Sequence, residues 1–329
     1  MQARSPAAGA VEPGKVLVTG GAGFIGSHLC ERLLGLGYGV VCLDNFNDFY
    51  DPAIKRSNIA GLTANPGFTL REGDIRDAAL VNALFEREKP EAVVHLAAMA
   101  GVRPSIEKPV LYYDINVTGT AVLLETARSH GVANFIFGSS SSVYGNQKKI
   151  PFCERDPVSR PISPYAASKA AGELLCYTCH HLFGLPVTCL RFFTVYGPRQ
   201  RPEMAIHLFA KLIRDGKPVT VYGDGHSRRD YTFVDDIIDG IVKALEKPHG
   251  YEIFNLGESR TVELFEVIEL IEKGIGRKAR LRMLPVQPGD VPVTFADIDH
   301  ARSSLGYSPS TPIEEGIGSF IEWFLCCLK

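Results

Sequence analysis

The chain has 329 residues, 45% of them hydrophobic and 22% charged, a balance that supports a sizeable buried core and excludes global disorder. Its formal net charge of -2 gives no general attraction to nucleic acid or to an anionic membrane, so neither is an expected partner. The opening MQARSPAAGAVEPGK has no apolar signal-peptide core, and nowhere do about 18 apolar residues run without a charge, so a cytoplasmic protein is expected.

Strand and helix patterns then alternate. Residues 15–20 (KVLVTG), 38–44 (YGVVCLD), 68–74 (FTLREGD), 91–97 (EAVVHLA), 134–140 (NFIFGSS) and 186–192 (PVTCLRF) read as short buried strands rich in Val, Ile, Leu or Phe. Helical patterns at 24–37, 77–88, 112–131 and 163–184 separate most of them. The alternation predicts an α/β fold, a doubly wound parallel sheet of the Rossmann kind over residues 1–194, with 1–14 flexible. From 195 to 329 the pattern is less regular, with helices at 204–216, 234–247, 261–276 and 311–328. This part is expected to form a smaller C-terminal lobe that binds substrate, with some segments able to return to the sheet.

The eight cysteines are scattered, and Cys42 and Cys189 sit inside apolar runs, which suits buried thiols in a reducing compartment. Cys176, Cys179, His180 and His181 fall on one predicted helix with no second ligand pair at zinc-site spacing, so no metal is expected.

The first motif with chemistry is VLVTGGAGFIGSHL. Gly20, Gly23 and Gly26 lie between a strand and a helix, where a dinucleotide pyrophosphate rests against helix N–H groups. Asp44 ends the second strand, and a carboxylate there accepts hydrogen bonds from the adenosine ribose and repels a 2'-phosphate, which favours NAD over NADP. Asp74 closes the third strand; facing the adenine and capping the next helix are both open to it.

The second motif, SPYAASKAAGE, puts Tyr165 and Lys169 four apart on one helical face. A phenol is a poor base at neutral pH unless a neighbouring cation stabilises the phenolate, and Lys169 is spaced to supply one. Between the two motifs stands NFIFGSSSSVYG, a serine tract too apolar on its upstream side to be a linker.

Together these segments resemble the extended short-chain dehydrogenase/reductase family, and within it the NAD-dependent nucleotide-sugar 4-epimerases. TGGAGFIGSHL, HLAAMAGV, NFIFGSSSSVYG, SPYAASK, LRFFTVYGPRQR, RRDYTFVDD and QPGDVP carry the resemblance in order along the chain. It implies reversible oxidation at carbon 4 of a UDP-sugar by tightly held NAD, rotation of the keto intermediate and reduction from the other face. It also implies a homodimer built by pairing the helices at 112–131 and 163–184. The catalytic residues it implies are Ser140, Tyr165 and Lys169. The implied cofactor set adds Phe24, Ile25, Asn45, Ile75, Leu96, Ala97, Ala98 and Phe192 to Gly20, Gly23, Gly26, Asp44 and Asp74. Substrate contacts are implied around Asn116, Thr194, Arg229 and Asp290. Arg229 suits a uracil or a diphosphate, the alternative being a surface ion pair with Asp230.

The serine tract narrows the substrate. Neutral-sugar epimerases that the chain resembles tend to carry alanine and threonine where this chain has Ser141 and Ser142. Extra hydroxyl and N–H groups at a strand tip hold an anion, such as a sugar carboxylate at carbon 6. Thr194, Arg199 and Arg201 in FTVYGPRQRPEMA, together with DNFNDFYDPAIKRSNI and HLAAMAGVRPSIEKP, are most similar to the UDP-glucuronate 4-epimerases. Arg103 adds positive charge near the substrate or binds a cofactor phosphate. The sequence RFFTVYGP departs from the asparagine-bearing pattern of UDP-glucuronate decarboxylases, and Gln287 stands where many relatives carry an arginine for the diphosphate. A UDP-glucose/UDP-galactose 4-epimerase is the alternative reading, with a decarboxylase behind it.

Overall fold

The computed structural model describes residues 14–286 and 291–326. The first part of the chain runs β1 (Lys15–Thr19), α1 (Phe24–Gly35), β2 (Gly39–Asp44), α2 (Pro52–Ile59), β3 (Phe68–Glu72), α3 (Ala78–Glu88), β4 (Ala92–His95), α4 (Val102–Glu107), α5 (Pro109–Tyr113), α6 (Gly119–Ser129), β5 (Asn134–Ser140), α7 (Pro164–Phe183) and β6 (Val187–Phe192). The remainder adds β7 (Thr194–Tyr196), α8 (Ala205–Arg214), β8 (Pro218–Tyr222), β9 (Arg228–Arg229), β10 (Tyr231–Phe233), α9 (Val234–Glu246) and β11 (Tyr251–Leu256). It ends with β12 (Val262–Glu263), α10 (Leu264–Ile275), β13 (Arg280–Leu284), α11 (Asp299–Leu305) and α12 (Ile313–Cys326).

Seven of these strands form one parallel sheet in the order β11-β6-β5-β4-β1-β2-β3. Covered on both faces, its inner strands β1, β4, β5 and β6 are buried almost throughout, every residue of β5 among them, whereas the edge strand β3 is mostly half-exposed. Successive residues face opposite layers, Val16 and Val18 packing into one core and Leu17 into the other. The chain winds one way from β1 to β3 and the other way from β4 outward, so a crevice opens where β1 and β4 part at their carboxyl ends.

All six strands expected from the sequence are present. The seventh, β11, comes from beyond residue 194 and pairs with β6 from Tyr251↔Val187 to Leu256↔Phe192. Helix α9 comes with it, tied to the sheet by Asn134 Nδ2, which donates to the Ala244 and Leu245 carbonyls at 3.1 and 3.0 Å. The pairs β7–β10, β8–β13 and β9–β12 form the smaller lobe over the carboxyl edge.

One expected helix differs in form. The 112–131 pattern is not continuous α-helix: a π-helical turn at Asp114–Thr118 separates α5 from α6. Its cause is Asn116, whose Oδ1 accepts from Met99 N (2.8 Å) while Nδ2 donates to Met99 O and Ser168 Oγ (both 2.9 Å). An insertion of this kind widens one turn so that a side chain meets partners off the helix. Among the described residues, no helix is long and apolar enough to cross a membrane, and no group of three or more His, Cys, Asp or Glu side chains is placed to hold a metal ion.

Candidate active site

The carboxyl ends of the central strands open into a cavity of about 500 Å³. It is lined by Gly20, Gly23, Phe24, Ile25 and Gly26 from the glycine loop and by Asp44, Asn45, Asp74 and Ile75 beyond β2 and β3. Leu96, Ala97, Ala98, Ser140, Ser141, Ser142, Tyr165, Lys169, Phe192, Thr194 and Arg201 complete the expected residues found there. Arg103, Arg229 and Asn116 do not line it, and Asp290, like Gln287, lies outside the described residues.

The glycines at the loop's two ends serve its own geometry. Gly20 has φ +70°, and a Cβ there would lie 2.8 Å from Ala97 N; one on Gly26 would lie 2.2 Å from the Gly20 carbonyl oxygen. Helix α1 starts at Gly23 with no side-chain cap, so its first N–H groups, at Phe24, Ile25 and Gly26, face the cavity without a protein acceptor built in. That arrangement fits a dinucleotide pyrophosphate. Asp44 is buried and fastens the loop: its carboxylate accepts from Ala22 N at 3.2 Å and Phe46 N at 2.9 Å. A carboxylate has about four acceptor positions, so Asp44 keeps capacity for ribose hydroxyls.

Asp74 does not cap α3; Asp77 does, accepting from Leu80 N at 3.0 Å. Asp74 instead accepts from Arg76 Nε, Nη2 and N and from Asn45 Nδ2 at 2.8–3.0 Å. The Arg76 guanidinium holds its carboxyl down at about 2. Sequence reading missed Lys55. This buried side chain lines the same end of the cavity and donates to Asn47 O and Oδ1, both at 3.0 Å. The available signal was the run of polar residues, Asn45 and Asn47, straight after the end of β2, where ligands of parallel sheets bind.

Helix α7 supplies the expected catalytic pair. Ser163 caps it, accepting from Ala166 N at 3.1 Å, and Pro164 occupies its first turn. Tyr165 and Lys169 follow on one face. The Tyr165 hydroxyl is hydrogen-bonded to Ser140, and its ring packs edge-on against Tyr112, centroids 6.3 Å apart. Although the residue is partly exposed to the cavity, burial pushes the phenol above its usual range; the Ser140 bond and the Arg201 charge oppose that rise. Lys169 behaves differently from the simple expectation. Its ammonium donates to the Gly138 carbonyl at 2.6 Å, 5.0 Å from the Phe137 ring centroid, and burial lowers it to about 8.

The four serines have separate tasks. Ser139 Oγ donates to Glu173 Oε1 at 2.6 Å. Ser140 Oγ accepts from Ser142 N at 3.1 Å, starting a 3₁₀ turn over Ser141–Tyr144 that leaves Ser141 and Ser142 half-buried at the cavity wall. Thr194 and Arg201 line the same cavity. Arg201 Nε lies 2.7 Å from Glu203 Oε1 in an ion pair too poorly aligned for a directed hydrogen bond, and its guanidinium is 5.7 Å from the Phe49 ring centroid.

The remaining expected contacts are elsewhere. Arg103 lays its guanidinium on the Tyr222 ring, 4.4 Å from the centroid, and so joins the two lobes. Arg229 Nη1 donates to the Arg228 and Pro292 carbonyls at 2.9 and 3.2 Å. Asp230 is fully buried, not a surface ion-pair partner: its carboxylate accepts from Glu258 N, Ser259 N, Ala296 N and Thr232 Oγ1 at 2.7–3.2 Å. Asn116, as described, clamps the Met99 segment to α7.

Several known proteins are similar to this chain over nearly its whole length. A UDP-glucuronate 4-epimerase of Thermodesulfobacterium geofontis is 44% identical over 311 residues, covering 94% of this chain and 96% of that protein. UDP-glucuronate 4-epimerase 1 of Arabidopsis thaliana is 42% identical over 329 residues, 94% of this chain and 76% of that protein. The crystal structure of UDP-glucuronic acid 4-epimerase from Bacillus cereus, in complex with UDP-glucuronic acid and NAD, superposes with a TM-score of 0.90 at 38% identity, covering 95% of this chain and 99% of that one. A UDP-glucose 4-epimerase from Thermotoga maritima superposes with a TM-score of 0.88 at 34% identity, over 96% of this chain and 100% of that one. Residues 16–257 match the family model directly, and the chain belongs to the NAD dependent epimerase/dehydratase family.

Proposed function

We propose that this chain is a UDP-glucuronate 4-epimerase, an isomerase that interconverts UDP-glucuronate and UDP-galacturonate through a transient 4-keto sugar. The observation that carries the reading is the meeting, in one cavity, of the glycine loop, the Ser140–Tyr165–Lys169 group and the polar wall of Ser141, Ser142, Thr194 and Arg201. The uncapped start of α1, with Asp44 beside it, fits NAD. NAD, when bound, supplies the two-electron acceptor and donor. Tyr165, as the phenolate that neighbouring positive charge favours, takes the proton from the sugar's 4-hydroxyl and returns it to the keto oxygen after rotation, and Ser140 holds that oxygen in both states.

A uronic acid adds a hazard that the polar wall answers. A 4-keto uronate is a β-keto acid, which loses carbon dioxide when its carboxylate bond lies parallel to the carbonyl π system. Ser141, Ser142 and Thr194, with the Arg201 charge, hold the carboxylate out of that alignment, leaving rotation and reduction as the productive course. Arg103, Arg229 and Asp290 remain the proposed contacts for the uridine diphosphate, beyond the residues that line the cavity.

The functional unit we infer is a homodimer in the cytoplasm. Helices α5 and α7 expose apolar side chains, Val110 at 78% and Leu174 at 68%, where a second copy would cover them. Among the described residues the cysteines are free, which agrees with a reducing compartment. Incubation with UDP-glucuronate and, separately, UDP-glucose, without added reductant, tests the activity. UDP-galacturonate is the expected chromatographic product. Turnover of UDP-glucose alone, or release of UDP-xylose, would overturn the reading.

A further inference from the structure

Behind the cavity wall lies a buried ion pair that the chemistry described so far does not use. Arg191 of β6 and Glu173 of α7 are 1% and 4% exposed, and the guanidinium meets the carboxylate with both Nε (2.9 Å to Oε1) and Nη2 (2.7 Å to Oε2). A pair this deep stabilises a fold little, since removing two charges from water offsets most of their attraction, and apolar side chains of similar size serve as well or better. Its retention calls for another account.

The partners of the pair supply one. Tyr165, Lys169 and Glu173 stand four apart on one face of α7, and each meets the end of β5: Tyr165 at Ser140, Lys169 at the Gly138 carbonyl and Glu173 at the Ser139 hydroxyl. The helix is drawn close there, since a Cβ on Gly172 would lie 2.3 Å from Phe137 Cζ. At the far end of the serine turn, Arg191 Nη1 donates to the Tyr144 hydroxyl at 2.9 Å, and that hydroxyl donates to Asn255 Oδ1 of β11 at 2.6 Å. The residues bounding Ser140–Val143 are therefore pinned by the two halves of one ion pair.

We propose that Glu173 and Arg191 are positioning residues for the reaction: together they fix the serine turn against α7, so that Ser140 and Tyr165 share one oxygen of the sugar and Ser141 and Ser142 keep their places. The fork of a guanidinium on a carboxylate has one geometry, which apolar packing does not impose. The proposal rests on the epimerase reading for the identity of the reacting oxygen.

Two variants test it. Ser139→Ala leaves the ion pair intact and removes only its hold on the strand; kcat is expected to fall about three- to tenfold with the KM for UDP-sugar unchanged. The double variant Glu173→Leu with Arg191→Met removes both charges together, so no unpaired ion is left buried. It is expected to keep its melting temperature within a few degrees and to lose about ten- to a hundredfold in kcat, again at constant KM. A merely structural pair would move the melting temperature and spare kcat. Ser139→Ala with unchanged kcat overturns the proposal even if the double variant does not fold. Ratios are taken on whichever UDP-hexose or UDP-hexuronate the unchanged enzyme turns over, so a wrong substrate assignment is seen separately, as absence of turnover on UDP-glucuronate by the unchanged enzyme.

Discussion

The Lys169 ammonium donates to the Gly138 carbonyl at 2.6 Å, so the helix that carries Tyr165 is bonded by its lysine to the strand that carries Ser140, the two proposed catalytic residues. Burial holds this lysine at about 8, below its ordinary 10.5. Between those values the folded chain binds fewer protons at the site than the unfolded chain, so the site's contribution to stability rises with pH across the window and is lost as pH falls through 8. Compared with Lys169→Met, the unchanged protein is expected to gain ~3 kcal/mol between pH 8 and 10.5, measured by urea unfolding at each end. A difference that does not vary with pH contradicts the assignment.

Tyr165→Phe removes one hydroxyl from the cavity and leaves the ring against Tyr112. Turnover is expected to drop by ~10² to 10⁴-fold, while titration calorimetry shows UDP-sugar binding close to that of the unchanged protein. Retained epimerisation would mean that another group exchanges the proton.

Replacing Ser141 and Ser142 with alanine is expected to weaken UDP-glucuronate far more than UDP-glucose, because only the uronate loses hydrogen bonds to a charged group, each worth roughly 1.5 to 3 kcal/mol. With the carboxylate freed to align with the keto group, the variant should also release carbon dioxide and a 4-keto pentose nucleotide. Equal losses on both substrates without carbon dioxide would assign the two serines to shaping the turn alone.

The parts of this site that the sequence made legible are those in which neighbours along the chain do the work. Gly20, Gly23 and Gly26 announce a strand, turn and helix; Tyr165 and Lys169 share a helical face; β1, β2, β4, β5 and β6 are rich in buried apolar residues because both faces of the sheet are covered. What was not legible depends on contacts far apart in the chain. The π-helical turn at Asn116 exists to reach Met99 and Ser168, and 112–131 taken alone has the period of a single helix. Asp74 was open to facing the adenine or capping α3, and only the fold shows Arg76 holding it while Asp77 makes the cap. Arg103 had a charge suited to the substrate, but its partner, Tyr222, is more than a hundred residues away. Ser139 and Ser140 are identical letters in the tract, and only the fold turns one toward Glu173 and the other toward Tyr165.

The most direct test of the account follows an isotope. UDP-glucuronate carrying deuterium at carbon 4 is incubated with the purified protein in ordinary water, and the UDP-galacturonate formed is analysed by mass spectrometry and proton NMR. If the 4-keto sugar turns within the cavity while the cofactor stays bound, the product keeps its deuterium at carbon 4. Product that has exchanged the label for solvent hydrogen, or has lost it to added unlabelled cofactor, would contradict the account.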